Sequence, residues 1–163
     1  MAGFISSVFK ENAKQIFGMV KGWNYIRKTE VVVGITEETN TAREGGMSNA
    51  SLLYLHENGI PSHNIPARPV LRPAIADDGT KQKIEKLMKD GMEAALLHGD
   101  TNKAEQSFHK AGMVGRDACK KWITDGGHLA PNAPATVARK GSSKPLIDTG
   151  SMVGSITYAV RKK

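Results

Sequence analysis

The sequence predicts an α+β fold: three to four helices packed on a small, mainly antiparallel sheet, with a proline-rich extended arm. Three observations predict it. Two long stretches after residue 80 carry apolar residues at helical spacing. Two short β-branched or alternating runs, Glu30–Thr36 and Ser155–Arg161, lie far apart in the chain. Three prolines, Pro61, Pro66 and Pro69, crowd the segment between. The 163 residues are read as one domain, 1–163, since domains run roughly 100–200 residues. With 39% apolar and 24% charged residues the chain has the composition of a folded protein. No segment repeats at a fixed period.

Residues 4–20 read as an amphipathic helix, with Ile5, Val8, Phe9, Ile16, Phe17 and Val20 near helical spacing and Lys10, Glu11, Lys14 and Gln15 between them. Gly18 and Gly22 weaken its end. Glu30–Thr36 reads as a strand. Residues 37–47, polar and glycine-rich, read as a flexible loop. Ser48 or Asn49 caps a short helix through Leu52, Leu53, Leu55 and His56, ended by Asn58-Gly59. Residues 60–69 form the arm, because three prolines forbid a helix interior and hinder ladder pairing.

A helix begins at Val70 with Pro73 in its first turn. A longer one follows, with Ile84, Leu87, Met88, Met92, Ala95 and Leu96 on one face, and His98-Gly99-Asp100 stops it. Residues 102–124 form the next helix. Its inner stripe is Phe108, Ala111, Gly112, Gly115, Ala118, Cys119 and Trp122, small enough for a neighbour to approach closely. Gly126-Gly127 ends it. Residues 126–145 read as a second flexible loop, and a short helix or turn around 149–154 leads into the last strand.

The net charge of +7 falls on residues 81–163, since residues 1–80 balance. From Arg139 onward, Arg139, Lys140, Lys144, Arg161, Lys162 and Lys163 face Asp148 alone. Such a field suits non-specific contact with DNA or with an acidic partner. Aromatics are only 6% and do not interleave with these cations, so no base-reading motif accompanies them. No apolar run approaches the roughly 20 residues that span a bilayer, so no membrane association is expected. Lys10, Glu11 and Lys14 interrupt any signal-peptide core, and Ala2 excludes myristoylation. The single cysteine, Cys119, permits no internal disulfide. It fits a reducing compartment and reads as a small buried filler.

Signals for catalysis are weak. Leu146-Ile147-Asp148-Thr149-Gly150-Ser151 looks like the active-site segment of retroviral-type aspartic proteases, but an all-β protease fold conflicts with the helices. Asp148 reads instead as a helix N-cap. His56, His63, His98, His109 and His128 form no close ligand pair, and no P-loop or nucleophile elbow is present. No cofactor, no metal and no enzymatic activity are expected.

Two segments together point elsewhere. The first runs Ala50-Ser51-Leu52-Leu53-Tyr54-Leu55-His56-Glu57-Asn58-Gly59, then Ile65-Pro66-Ala67-Arg68-Pro69-Val70-Leu71-Arg72-Pro73-Ala74. The second runs Leu129-Ala130-Pro131-Asn132 with Thr136, then Pro145-Leu146-Ile147-Asp148-Thr149-Gly150-Ser151-Met152, then Ser155-Ile156-Thr157-Tyr158. In order and spacing these resemble the head–tail connection and tail-completion proteins of tailed bacteriophages, including Mu-like virion morphogenesis and lambdoid minor tail proteins. The resemblance spans roughly residues 48–160; Val70 stands where those proteins suggest a larger aromatic. It implies a structural virion protein, made in the host cytoplasm, that forms a homo-oligomeric ring of six or twelve copies in the phage neck or upper tail. That ring would meet neighbouring neck or tail-tube proteins and surround the DNA channel. Ile65, Pro66, Arg68, Pro69, Leu71 and Arg72 are expected to carry intersubunit contacts, because a stiff arm loses little entropy on docking. A tail-tube terminator and a small non-specific DNA-binding protein are the alternative readings. For the arm, the alternative is a loop packed on its own domain.

Overall fold

The computed structural model describes the backbone of residues 2–42 and 46–163 and the side chains of residues 10–42 and 46–163. The fold is α+β. Seven helices lie among the described residues: α1 (Ala2–Lys28), α2 (Asn49–Asn58), α3 (Leu71–Ala76), α4 (Asp78–His98), α5 (Thr101–Asp125), α6 (Pro134–Lys140) and α7 (Ser151–Ser155). Two strands, β1 (Thr29–Gly34) and β2 (Thr157–Lys162), pair antiparallel. The helix count exceeds the expected three to four: α3 and α7 stand where the sequence predicts a helix from Val70 and a short helix or turn at 149–154, and α6, seven residues long, lies in a stretch that reads as loop. Elements this short carry little periodicity to read.

The chain divides into two compact units. The first comprises Met1–Val32, Gln82–Gly112 and Val160–Lys163. The second comprises Val33–Lys81 and Met113–Ala159.

In the first unit, α1 runs well past its expected end at residue 20. Gly18 and Gly22 do not end it; they let it touch α4. A Cβ on Gly22 would collide with the backbone carbonyl of Ala95, and one on Gly99 would stand 2.8 Å from Gly18 Cα. Gly99, at φ +64°, also caps α4, its N–H donating to the Ala95 carbonyl. Asp100 then accepts from Lys103 N–H at 2.9 Å and starts α5. The core of the unit is Ala95, Ala104 and Phe108, with Tyr25, Ile26, Val31, Met88 and Val160 packed on it. Gly91 leaves the room that Phe108 fills. The rings of Tyr25 and Phe108 stack with centroids 6.2 Å apart. Burial, and then the charge of Glu105, raises the Tyr25 phenol above its ordinary value. Met92, expected on the inner face of α4, is exposed, and Gly91 and Ala94 lie inward instead.

In the second unit, Leu53 of α2, Val70 and Ala74 at α3, Cys119 and Ile123 of α5, Leu129, Met152 and Ile156 form one buried cluster. Helix α5 belongs to the first unit up to Gly112 and to the second from Met113; its small-residue stripe is buried as expected at Phe108, Ala111 and Gly112 in the first and at Gly115 and Cys119 in the second, where Ala118 and Trp122 are half-buried. Ala104 and Ile123 extend it at either end. Part of the loop expected over 37–47 lies outside the described residues. The rest holds a 3-10 turn at Glu37–Thr39 and a bridge between Ala42 and Ser48.

Cys119 is the buried filler the sequence suggests, at 0% exposure. Burial first, and the nearby Glu57 carboxylate second, push its thiol from 9.0 up to about 11. Between those two values the unfolded chain releases a proton that the folded chain keeps. Stability is therefore untouched below pH 9.0 and falls from there towards about 11. An aromatic disulfide reagent at pH 8 should modify Cys119 at least about a hundredfold more slowly in the folded chain than in denaturant. Comparable rates would mean that the α5 stripe opens freely.

Candidate assembly site

The two segments that carry the sequence resemblance meet in the second unit. They line a cleft of about 600 Å³. Leu52 and His56 come from α2, and Ile65, Pro66 and Arg68 from the arm. Pro131 to Ala133, α6, Leu146 and Asp148 complete it.

The arm is held from both ends. At its start Ile60 and Ile65 bridge across a 3-10 turn at Pro61–His63, with Asn64 in the left-handed region at φ 55°. The first half of the expected extended arm is thus a tight turn, and only the stretch beyond Ile65 is extended. Gly59, at φ +70°, is required here twice over. Its conformation disfavours a side chain, and a Cβ would lie 2.6 Å from Ala67 N. At the far end, the Glu57 carboxylate accepts from Val70 N–H at 2.9 Å and Leu71 N–H at 2.5 Å. A carboxylate on α2 therefore satisfies the first donors of α3. The His56-Glu57-Asn58-Gly59 run is explained by this clasp.

Arg68 is turned inward. It is 7% exposed, and its Nε and Nη2 donate to the carbonyls of Ala130 and Pro131 at 2.7 and 2.9 Å. Its backbone N–H donates to the His56 carbonyl. Burial lowers the guanidinium below its ordinary value, yet a group titrating so far above neutrality stays charged. Arg68 thus fastens the arm to its own chain. Of the other residues expected at intersubunit contacts, Pro66, Pro69 and Arg72 are exposed, with Ile65 and Leu71 half-buried.

The loop expected over 126–145 is organised. Pro134 opens α6 at its first position and Gly141, at φ 65°, closes it. Asn132 Nδ2 donates to the carbonyls of Ser143 and Lys144 at 3.3 and 3.1 Å, and Lys140 Nζ reaches the Lys144 carbonyl at 3.2 Å. Leu146 then takes φ 58°, a left-handed conformation that costs a non-glycine residue about 1–2 kcal/mol. It is held there by packing on the unit's core.

Asp148 is exposed and does not cap α7. The residue at the cap position is Gly150, which has no side chain to offer. Asp148 lines the cleft with Arg139 and Lys140, and no second carboxylate lines it among the described residues. The neighbouring Ser151 has a structural partner. Asn49, fully buried, points Nδ2 at the hydroxyls of Thr41, Ser151 and Ser155 at 2.8, 2.9 and 2.9 Å. That contact fixes the start of α2 against α7 and gives Ser151 a structural role, while Thr149 Oγ1 accepts from Ser151 N–H at 3.3 Å and Gly150 takes φ 79°. In the sequence Asn49 reads as one of two possible caps; Ser48 is the cap, accepting from Ser51 N–H.

The basic residues fall in two groups. Arg139, Lys140 and Lys144 belong to the second unit, and Arg161, Lys162 and Lys163 to the first. Arg161 pairs with Glu30 at 2.7 Å across the two strands. Among the described residues no cluster of His, Cys, Asp or Glu could hold a metal, and no helix is long and apolar enough to cross a membrane. No family model, no curated protein and no solved structure matches the chain.

Proposed function

We propose that this chain is a non-enzymatic structural protein of a tailed-phage virion. It oligomerises into a ring, six- or twelvefold, that joins or completes the tail at the head–tail interface. The observation that carries this reading is the convergence of the two resembling segments on one arm-and-cleft structure. The arm is anchored from behind by Arg68 and Glu57, while Pro66, Pro69 and Arg72 are exposed. A rigid, pre-formed edge suits repeated docking between identical copies, because closed rings arise from heterologous contacts whose rotation closes. Of the expected intersubunit residues, the reading now rests on these three with Ile65 and Leu71. Arg139, Lys140 and Lys144 supply a positive cleft wall or rim for a neighbouring acidic segment or for DNA in the channel.

The test is electron microscopy of a lysate from phage carrying an early stop codon in this gene. Filled heads beside separate tails are expected. Tails of irregular length would assign the chain to a terminator at the tail tube. Normal infectious particles would overturn the reading.

A further inference from the structure

The cleft of the second unit carries more positive charge than it neutralises. Arg68, Arg139 and Lys140 line it against the single carboxylate of Asp148. Arg68 is the telling member. It is 7% exposed, and its bonds run to the carbonyls of Ala130 and Pro131. Carbonyl oxygens satisfy its N–H groups but bring no countercharge, and among the described residues no carboxylate forms an ion pair with it. A buried charge is ordinarily paired with an opposite one. Arg139, exposed, is in no ion pair among the described residues either. The cleft thus calls for acid that its own walls do not supply.

The same unit carries a matching acid elsewhere. Two pairs of adjacent acidic residues occur in the sequence, Glu37-Glu38 and Asp77-Asp78. The second pair is in use. Asp77 Oδ2 accepts from Thr80 N–H and Thr80 Oγ1, each at 3.1 Å, and Asp78 opens α4, where negative charge is favoured. The first pair stands exposed on the 3-10 turn Glu37–Thr39, and neither carboxylate has an ion pair or hydrogen bond among the described residues. This turn is fastened to its unit. Thr39 Oγ1 donates to the Ser155 carbonyl at 2.8 Å, and Asn40 Oδ1 accepts from Ala50 N–H at 3.0 Å. Carboxylates on a fixed turn lose little entropy on docking. Neither glutamate lines the cleft of its own chain, so the two surfaces can meet only between copies. The rest of the cleft suits a peptide better than a phosphate backbone. Leu52, Ile65, Pro66 and Leu146 add apolar surface. The Asp148 carboxylate repels a run of phosphates but can accept from a peptide N–H.

We infer that the Glu37-Glu38 turn of one copy docks in the Arg68, Arg139 and Lys140 cleft of the next. Turn and cleft are different surfaces, so the contact is heterologous and repeats from copy to copy. The inference rests on reading the cleft as an assembly surface, and it names what fills it. Sedimentation velocity of the full chain at about 200 µM should show self-association in about 50 mM salt and less of it in about 500 mM. Arg139→Glu with Lys140→Glu should weaken it at least about tenfold, and so should Glu37→Lys with Glu38→Lys, because each change sets like charges against each other. Lys140 also reaches the Lys144 carbonyl; should its replacement disturb folding, Arg139→Glu alone, at an exposed site, takes its place. Mixing the two reversed chains is the sharper experiment. The acidic turn of the first fits the basic cleft of the second, and the basic turn of the second fits the acidic cleft of the first. An equimolar mixture should therefore regain the association that each chain lacks alone. Folded variants that stay dissociated when mixed would overturn the docking, and so would a parent chain that remains monomeric. Duplex DNA held by the parent and released by Arg139→Glu with Lys140→Glu, without self-association, would make a nucleic acid the occupant and overturn it too. If the mixture regains association while the stop-codon phage are normal, the docking stands and the ring reading falls. If the mixture fails while those lysates hold filled heads beside separate tails, the docking falls and the ring reading stands.

Discussion

Gly22→Ala will loosen α1 from α4 and cost at least about 3 kcal/mol, the top of the ordinary range for overpacking. The added methyl would meet the carbonyl group of Ala95, and beyond it the backbone N of Leu96 at 3.2 Å. Backbone in the last turn of α4 has no rotamer to yield with, so the two helices must move apart. Propensity predicts the reverse sign. In a free helix, alanine in place of glycine gains about 1 kcal/mol. The two arguments therefore separate cleanly in a denaturant melt followed by circular dichroism, with amide exchange over residues 16–24 as the local readout. A stability increase would show that α1 does not rest on α4 at this crossing.

Arg68→Ala is expected to cost about 2–4 kcal/mol, from two bonds made by a charged group and two carbonyls left without their donor. Arg68→Lys should recover little of this. An ammonium is a point donor and does not match two carbonyls as the planar fork does. The contrast is Arg72→Glu, an exposed site where stability should change by no more than about 0.5 kcal/mol while assembly is lost. Chemical denaturation and particle assembly, measured on both variants, separate anchoring from docking. If Arg68→Ala leaves the denaturation midpoint in place and blocks only assembly, then Arg68 is an intersubunit residue and its inward bonds are dispensable.

Much of the fold was legible from local signals. Ser48 as the cap of α2, Gly59 and Gly126 as stops, Pro73 in the first turn of α3 and the Gly99-Asp100 hinge between α4 and α5 all follow from backbone chemistry within a few residues. The buried stripe of α5 followed from period alone. The candidate site was legible as two motifs but not as an arrangement. Nothing local marks Glu57 as the cap of a helix that begins 14 residues later, or Arg68 as the partner of carbonyls 62 and 63 positions on. An arginine in a proline-rich arm reads as an exposed contact because its burial depends on acceptors supplied from elsewhere. α6 reads as loop because seven residues flanked by Pro, Gly and Ser show loop composition before helical period.

By itself, then, the sequence determined much of what each segment does with its own backbone: where most helices after residue 47 start and stop, and which face of α5 is buried. Those are short-range properties, set by dihedral preference and by spacing along one element. The tertiary structure alone decided which glycines are contacts and which charges are anchors. Gly18 and Gly22 look like weak points in a helix until α4 lies against them. Arg68 and Asn49 look like surface polar groups until distant carbonyls and hydroxyls reach them. The physical reason is the same in each case: the energy of a close approach or a buried hydrogen bond belongs to a pair of groups, and the sequence shows only one member at a time.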